Sequence, residues 1–290
     1  MQIAVNIIVL ASIYALISCG YVLIYRVSRV LNLAHGELML LGAYLLLATS
    51  SNITPNPIVA ILLAALLSAI VGILVYLLLM RKMTGESVLA AVLTTIAFGI
   101  FLRGLMTLIW SPQQFNVARL IGIANPALEI IPGARISLMS ATLVVVTVTV
   151  YVLLFLFLRI TRWGMRMRAA GQNPLLAAQR GIELHVVYAI AWCLSTFTGS
   201  AAGMLIAMDS RLDSTMVIIG LKAFPAALVG GLDSLLGAIV GSLIIAAVEV
   251  VVIQTINPLL ADVVPFLVLI GMLMIRPWGL FGTHEALDRV

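Results

Sequence analysis

Nine runs of apolar residues divide this 290-residue chain, at 3–25, 31–49, 58–80, 88–110, 136–158, 184–208, 216–232, 236–256 and 259–275. Each is close to the ~20 residues that a helix needs to cross the hydrocarbon of a bilayer. Inside a bilayer every backbone N–H and C=O must be satisfied within the protein, which leaves helices and closed barrels. The runs are continuous rather than alternating, so they read as helices. With 63% of residues hydrophobic and only 9% charged, against about 25% in soluble domains, little chain remains for a water-soluble unit. The expected fold is all-α: a polytopic membrane helix bundle of 8–9 segments forming one transmembrane domain over 1–290. Two segments are weak. The run 31–49 carries His35, Gly36 and Glu37. The run 216–232 is short and carries Lys222, Pro225, Gly230 and Gly231. Both read as interrupted or re-entrant pieces, and if the second re-enters the crossings fall from nine to eight.

The net charge of +5 informs through its placement; it does not point to nucleic acid. Arg26 and Arg29 flank the first connection, Arg81 and Lys82 lie in the third, Arg159, Arg162, Arg166, Arg168 and Arg180 fill the fifth, and Arg276 follows the last run. The connections between them, at 50–57, 111–135, 209–215 and 257–258, are poorer in basic residues. The positive-inside rule puts the basic set in the cytoplasm, with the N-terminus outside and the C-terminus cytoplasmic. The first run lacks the basic n-region of a signal peptide and is too long for its apolar core, so it reads as the first membrane helix. Cys19 and Cys193 both lie in apolar runs and read as small core residues rather than a disulfide. The connection 111–135 reads as an ordered extracytoplasmic turn region or a short surface helix. Paired interrupted segments in the two halves of a chain point to internal repeats around a central pathway.

The connection 159–182 is different in kind. Asn173 suits a helix N-cap and Pro174 its first turn. Leu175, Leu176 and Gln179 follow at near-helical spacing, Ala177 and Ala178 keep the helix slim, and Gly181 suits its end. The flanks are basic, with Arg168 before Gly171 and Arg180 after the helix. One reading is a helix docked in a groove of a cytoplasmic partner. The other is a loop whose arginines only fix orientation.

Ionisable groups in the apolar runs are costly, by about 2.5–3.5 kcal/mol at a helix centre, so they face protein or water. Asn32, His35 and Glu37 cannot share one helical face, because residues two apart diverge by about 200°. They are placed in the first turns from the cytoplasmic side, as part of a pathway gate or as a hydrogen-bonded structural cluster. Arg103 and Glu249 are placed in the outer half of the bilayer. Arg103 can snorkel outward; Glu249 needs a buried partner or a place on the pathway. Small residues are dense over 223–247, where Gly237 and Gly241 allow close helix packing, and Lys222 and Asp233 bracket a short membrane-embedded piece with polar ends. His35 and Glu37 lack the further ligands of a metal site. The sequence has no G-x-x-x-x-G-K-[ST] phosphate loop and no catalytic constellation of Ser, His and Asp. From the residues alone, an ion-coupled transporter using Glu37 and Glu249, or an intramembrane structural or signalling subunit, stand beside an ATP-driven one.

Four segments carry a resemblance: LNLAHGELMLLGAY at 31–44, RAAGQNPLLAAQRGI at 168–182, AFPAALVGGLDSLLGAIVGS at 223–242 and RPWGLFG at 276–282. In this order and spacing the chain resembles the permease subunits of branched-chain amino acid ABC importers, the LivH-type subunit in particular. Asp233 and Leu235–Leu236 depart from the third segment's pattern. The resemblance implies a bacterial inner-membrane importer rather than an enzyme. A second related permease shares the translocation pathway, two cytoplasmic ATPases hold ATP and Mg, and a periplasmic binding protein delivers substrate. This chain itself would carry no cofactor. The loop 159–182 would be the coupling helix on the ATPase, with Arg168, Gly171, Asn173, Pro174, Leu175, Leu176, Ala177, Ala178 and Gly181 as its residues. Asn32, His35, Glu37, Lys222 and Glu249 are the pathway or gate candidates. The family also takes other amino acids, urea and short amides.

Overall fold

The computed structural model describes residues 1–283. Among them the helices are α1 (Gln2–Ser28), α2 (His35–Asn52), α3 (Pro57–Leu78), α4 (Val88–Trp110), α5 (Val117–Ile121), α6 (Leu138–Ile160), α7 (Arg162–Gln172), α8 (Pro174–Gln179), α9 (Leu184–Asp209), α10 (Val217–Gly230), α11 (Leu235–Thr255) and α12 (Val264–Ile275). Each of the nine apolar runs is therefore helical, and the fold is an all-α bundle. Six of these helices are long and apolar enough to cross a membrane. The other three apolar runs give shorter or more polar helices, α2, α10 and α12.

The bundle has two ends. At one, a β-hairpin of β1 (Ala127–Ile131) and β2 (Ala134–Ser137) is tied to the start of α1, where the Gln2 side chain bonds both backbone groups of Arg135. The carboxylate of Asp209, at the end of α9, accepts from Ser137, Ser140 and Asn125. At the other end lie α7 and α8, with Arg29 paired to Asp233 at 2.7 Å and the segment after α12 bonded back onto Val229 and Gly230. The connection 111–135, expected as a turn region or a short surface helix, is both a short helix, α5, and the first strand of the hairpin. The run 216–232 is not re-entrant with respect to the bundle. It leaves Asp209 at the hairpin end and delivers Asp233 to the α7–α8 end. The extreme C-terminus, residues 284–290, expected on the cytoplasmic side, lies outside the described residues.

Burial separates the helices into an inner and an outer set. The most apolar stretches of α1 and α9 are 72% and 67% buried, against 28% or less for α3, α4 and α6. The outer helices expose Leu62, Leu66, Leu93, Ile100, Leu108 and Val145. Such a belt is far larger than a soluble protein leaves uncovered, and a hydrocarbon solvent removes its cost. The inner helices lack that driving force and associate by close packing of small residues. Gly203 of α9 packs on the Met39 backbone of α2, and Gly72 of α3 on Trp192 and Thr196 of α9.

Candidate functional site

The two interrupted segments meet. The chain leaves α1 at the α7–α8 end, runs back along the bundle without helix through residues 29–34, and starts α2 beside Ile17 and Gly20 of α1. That is about halfway along α1, so Asn32, His35 and Glu37 lie deep in the bundle, not in the first turns at the basic end. The reason is local: the 29–34 stretch consumes length without helix before α2 can begin. From the other side, residues 210–216 enter from the hairpin end and start α10 at Val217. Gly36 and Gly220 touch, since a Cβ on Gly220 would lie 2.5 Å from the Gly36 Cα. The first turns of α2 and α10, each at the partially positive end of its helix, thus meet in the interior.

His35 serves as a pin at this crossing. It is fully buried, with Nε2 3.1 Å from the Ile17 carbonyl oxygen and Nδ1 3.4 Å from Ser195 Oγ. Tyr21 meets the ring edge-on at 4.7 Å. The ring fills space left by two glycines; a Cβ on Gly199 would fall 2.8 Å from it. Asn32 is also buried. Its Oδ1 accepts from the Ala34 N–H at 3.1 Å, and its Nδ2 has no partner.

Lys222 and Glu249 come together. Lys222 Nζ donates to Glu249 Oε1 at 2.5 Å and lies 3.3 Å from Asp262. Tyr14 donates to Glu249 Oε2 at 2.7 Å. This network joins α1, α10, α11 and the turn at Pro258–Asp262. Lys222 is accordingly an interior residue rather than a polar end of its segment; Asp233 does sit at an end. Tyr14 and Asp262 were not singled out from sequence. The signal was available, because a buried lysine and a buried glutamate both require partners.

Glu37 stands apart from that network. Its carboxyl lies against the bare face of α4 at Gly99, where a Cβ would be 3.2 Å away. It has no ion pair among the described residues. Arg103, one turn further along α4, donates to the Ser214 carbonyl at 3.1 Å. Its side chain is exposed and reaches to the strap that feeds α10 from the hairpin end.

At the basic end, α7 and α8 form an elbow hinged at Asn173. Asn173 caps α8, with Oδ1 accepting from the Leu176 N–H at 3.0 Å, and Gly181 follows α8 with φ near +80°. Several of the expected coupling residues are used within the chain. Arg168 bonds the Leu158 carbonyl, Gly171 packs on the Arg26 backbone, and Ala177 is buried. Pro174, Leu175, Leu176, Ala178 and Gly181 face outward, with Leu175 69% and Leu176 56% exposed. Among the described residues no cluster of His, Cys, Asp and Glu could hold a metal.

Comparison with known proteins gives this geometry its family. A protein-family profile described as "Branched-chain amino acid transport system / permease component" matches residues 3–273. The chain belongs to this family. It is 28% identical to the high-affinity branched-chain amino acid transport system permease protein LivH of Escherichia coli (strain K12), over 97% of this chain and 94% of the relative. It is 27% identical to BraD of Pseudomonas aeruginosa, a permease protein of the same description, over 98% and 96%. It is 27% identical to a probable branched-chain amino acid transport permease of Methanocaldococcus jannaschii, over 95% and 90%. No solved structure matches. The permease is a multi-pass membrane protein and a transport subunit rather than an enzyme.

Proposed function

We propose that this permease is the membrane-spanning subunit of an ATP-driven importer that carries branched-chain amino acids from the periplasm into the cytoplasm of a bacterium. The observation that carries this reading is α8. It is a short, capped helix at the basic end whose Leu175 and Leu176 project from the protein among Gln172, Gln179 and Arg180. An orientation-setting loop needs arginines; it does not need a capped helix with two exposed leucines. The positive-inside rule makes this end cytoplasmic, with the N-terminus and the hairpin on the periplasmic side of the inner membrane. Two ATPases would hold ATP and Mg, with α8 seated in a cleft of one. A second related permease would complete the pathway, and a periplasmic binding protein would deliver substrate to the hairpin end. ATP binding acts by favouring one arrangement of the membrane helices over another. An ion-coupled mechanism is less well supported, because Glu249 is already committed to Lys222 and Tyr14.

The test is at Leu176. Central apolar anchors dominate interfaces of this kind, at about 2 kcal/mol or more for a hot spot. Leu176→Asp should lower the amount of ATPase co-purifying with the permease by about 30-fold in apparent affinity, while membrane insertion survives on the unchanged arginines. Ala178→Trp, also on the outward face, should act in the same direction. Wild-type co-purification in both variants would leave the loop with an orienting role only.

A further inference from the structure

A groove of about 530 Å³ runs between α1, α6 and α11. Its floor is made of small or internally bonded residues. Ala11 and Ala15 of α1 are buried. Thr147 Oγ1 donates to the Ser12 carbonyl at 3.2 Å, and the Tyr151 hydroxyl donates to the Ala15 carbonyl at 2.8 Å. The Ser12 hydroxyl is likewise spent on the Ile8 carbonyl, so the groove presents no free hydroxyl proton to orient a polar solute. Its walls are exposed apolar side chains, Val148, Val152 and Phe155 on α6 and Leu236, Ile239 and Leu243 on α11.

Towards α7 the groove continues into a second hollow of about 360 Å³, which shares Phe155, Leu235 and Leu236 with it. Three arginines line this hollow: Arg26 from the last turn of α1, Arg159 from the last turn of α6, and Arg168 of α7. Arg159 lies over the Phe155 ring at 5.7 Å, and Arg168 donates to the Leu158 carbonyl. None of the three is in an ion pair among the described residues. The acid in the lining, Asp233, is already taken by Arg29 at 2.7 Å and by Thr283 at 2.6 Å. The hollow therefore holds uncompensated positive charge where the apolar groove ends.

We propose that the groove and the hollow together bind an anionic phospholipid, with its phosphate at Arg26, Arg159 and Arg168 and one acyl chain lying between α6 and α11. The site does not depend on the importer reading. Three features support it. The first is order: charge and apolar surface follow one another as headgroup and chain do in a lipid. A free anion would use the arginines and leave the groove empty, and an apolar helix of another subunit would fill the groove and leave the arginines unanswered. The second is depth. From Arg159 back to Thr147, α6 runs for about 18 Å at 1.5 Å per residue, close to half of the ~30 Å hydrocarbon core and so to the depth of one leaflet. The third is chemistry. Guanidinium groups present fixed pairs of donors that match phosphate oxygens, and basic pockets between membrane helices are a recurrent way of holding anionic headgroups.

The experiment uses the full-length permease, purified with the subunits that accompany it and placed in nanodiscs. The probes are phosphatidylglycerol and phosphatidylcholine, each with a photoactivatable diazirine on one acyl chain. Crosslinked peptides are read by mass spectrometry. Phosphatidylglycerol should label the stretches 148–155 and 236–243 about tenfold more than phosphatidylcholine, since each arginine near an anionic headgroup is worth roughly fivefold. Unlabelled phosphatidylglycerol should compete, and millimolar inorganic phosphate should not. Arg26→Gln/Arg159→Gln should bring the phosphatidylglycerol labelling down to the phosphatidylcholine level at an unchanged melting temperature. Ile239→Trp, which fills the groove and leaves the charges, should lower labelling by phosphatidylglycerol as well. Equal labelling of the wild-type protein by the two lipids would overturn the proposal, whether or not the variants fold, because the groove would then hold ordinary solvent lipid. Displacement by inorganic phosphate would overturn it in favour of a simple anion site. Absence of labelling by either lipid would overturn it in favour of a contact with another subunit.

Discussion

Lys222→Met should sharply reduce the amount of folded permease recovered from membranes. The substitution keeps the length of the side chain and removes its charge. Glu249, 2% exposed, would then keep only the Tyr14 hydroxyl as a partner. Removing one member of a buried pair costs about 3–5 kcal/mol, because it strands the other charge. That is comparable with the whole stability of many domains, about 5–15 kcal/mol. The companion variant Lys222→Met/Glu249→Leu should recover most of the loss, since replacing both members of a buried pair by apolar groups is often neutral. Asp262, whose side chain is 70% exposed, stays solvated in either case. Thermal unfolding in detergent, followed by size-exclusion chromatography, reads the effect. A single variant that melts with the wild type would show that the network contributes nothing to the fold.

The second large effect is expected at the contact of α2 with α10. Gly220→Leu would place a side chain where the Gly36 backbone stands, with its Cβ 2.5 Å from the Gly36 Cα. Backbone cannot rotate away as a side chain can, and α2 is fixed at this point by His35. Overpacking a close-packed interior costs about 1–3 kcal/mol even where side chains can adjust, and the cost here should lie at or above the top of that range. Gly36→Ala should be milder. Its Cβ would lie 3.0 Å from the Val217 carbonyl oxygen, a contact that a shift of a few tenths of an ångström relieves. Melting temperatures of the two purified variants give the ranking, and a Gly36→Ala variant less stable than Gly220→Leu would reverse it.

Much of this architecture was legible in the sequence because a bilayer imposes one strong rule: apolar runs of sufficient length become helices. All nine runs obeyed it. The cap at Asn173 was legible for a similarly local reason, since an Asn-Pro pair opening a helix needs no tertiary context. What the sequence did not give was depth. Asn32, His35 and Glu37 read as residues near the basic end, because hydropathy does not reveal that 29–34 runs back along the bundle unwound. Nor could hydropathy pair Lys222 with Glu249 and Tyr14, which are 27 and 208 residues away from it by number. The acceptor of Arg103, the Ser214 carbonyl, was not legible either, because it belongs to backbone that no side-chain pattern announces. Among the expected coupling residues, spacing placed α8 but not its inner face, which only the burial of Ala177 reveals, nor the packing of Gly171 in α7 on the Arg26 backbone.

The energy source for transport separates an ATP-driven importer from an ion-coupled one. The permease, a second related permease, two ATPases and the binding protein would be reconstituted in vesicles, and uptake of labelled leucine followed with ATP inside or with an imposed proton or sodium gradient. Uptake is expected to require ATP and both ATPases and to be indifferent to either gradient. Uptake by the permease alone under a gradient, without ATP, would contradict it.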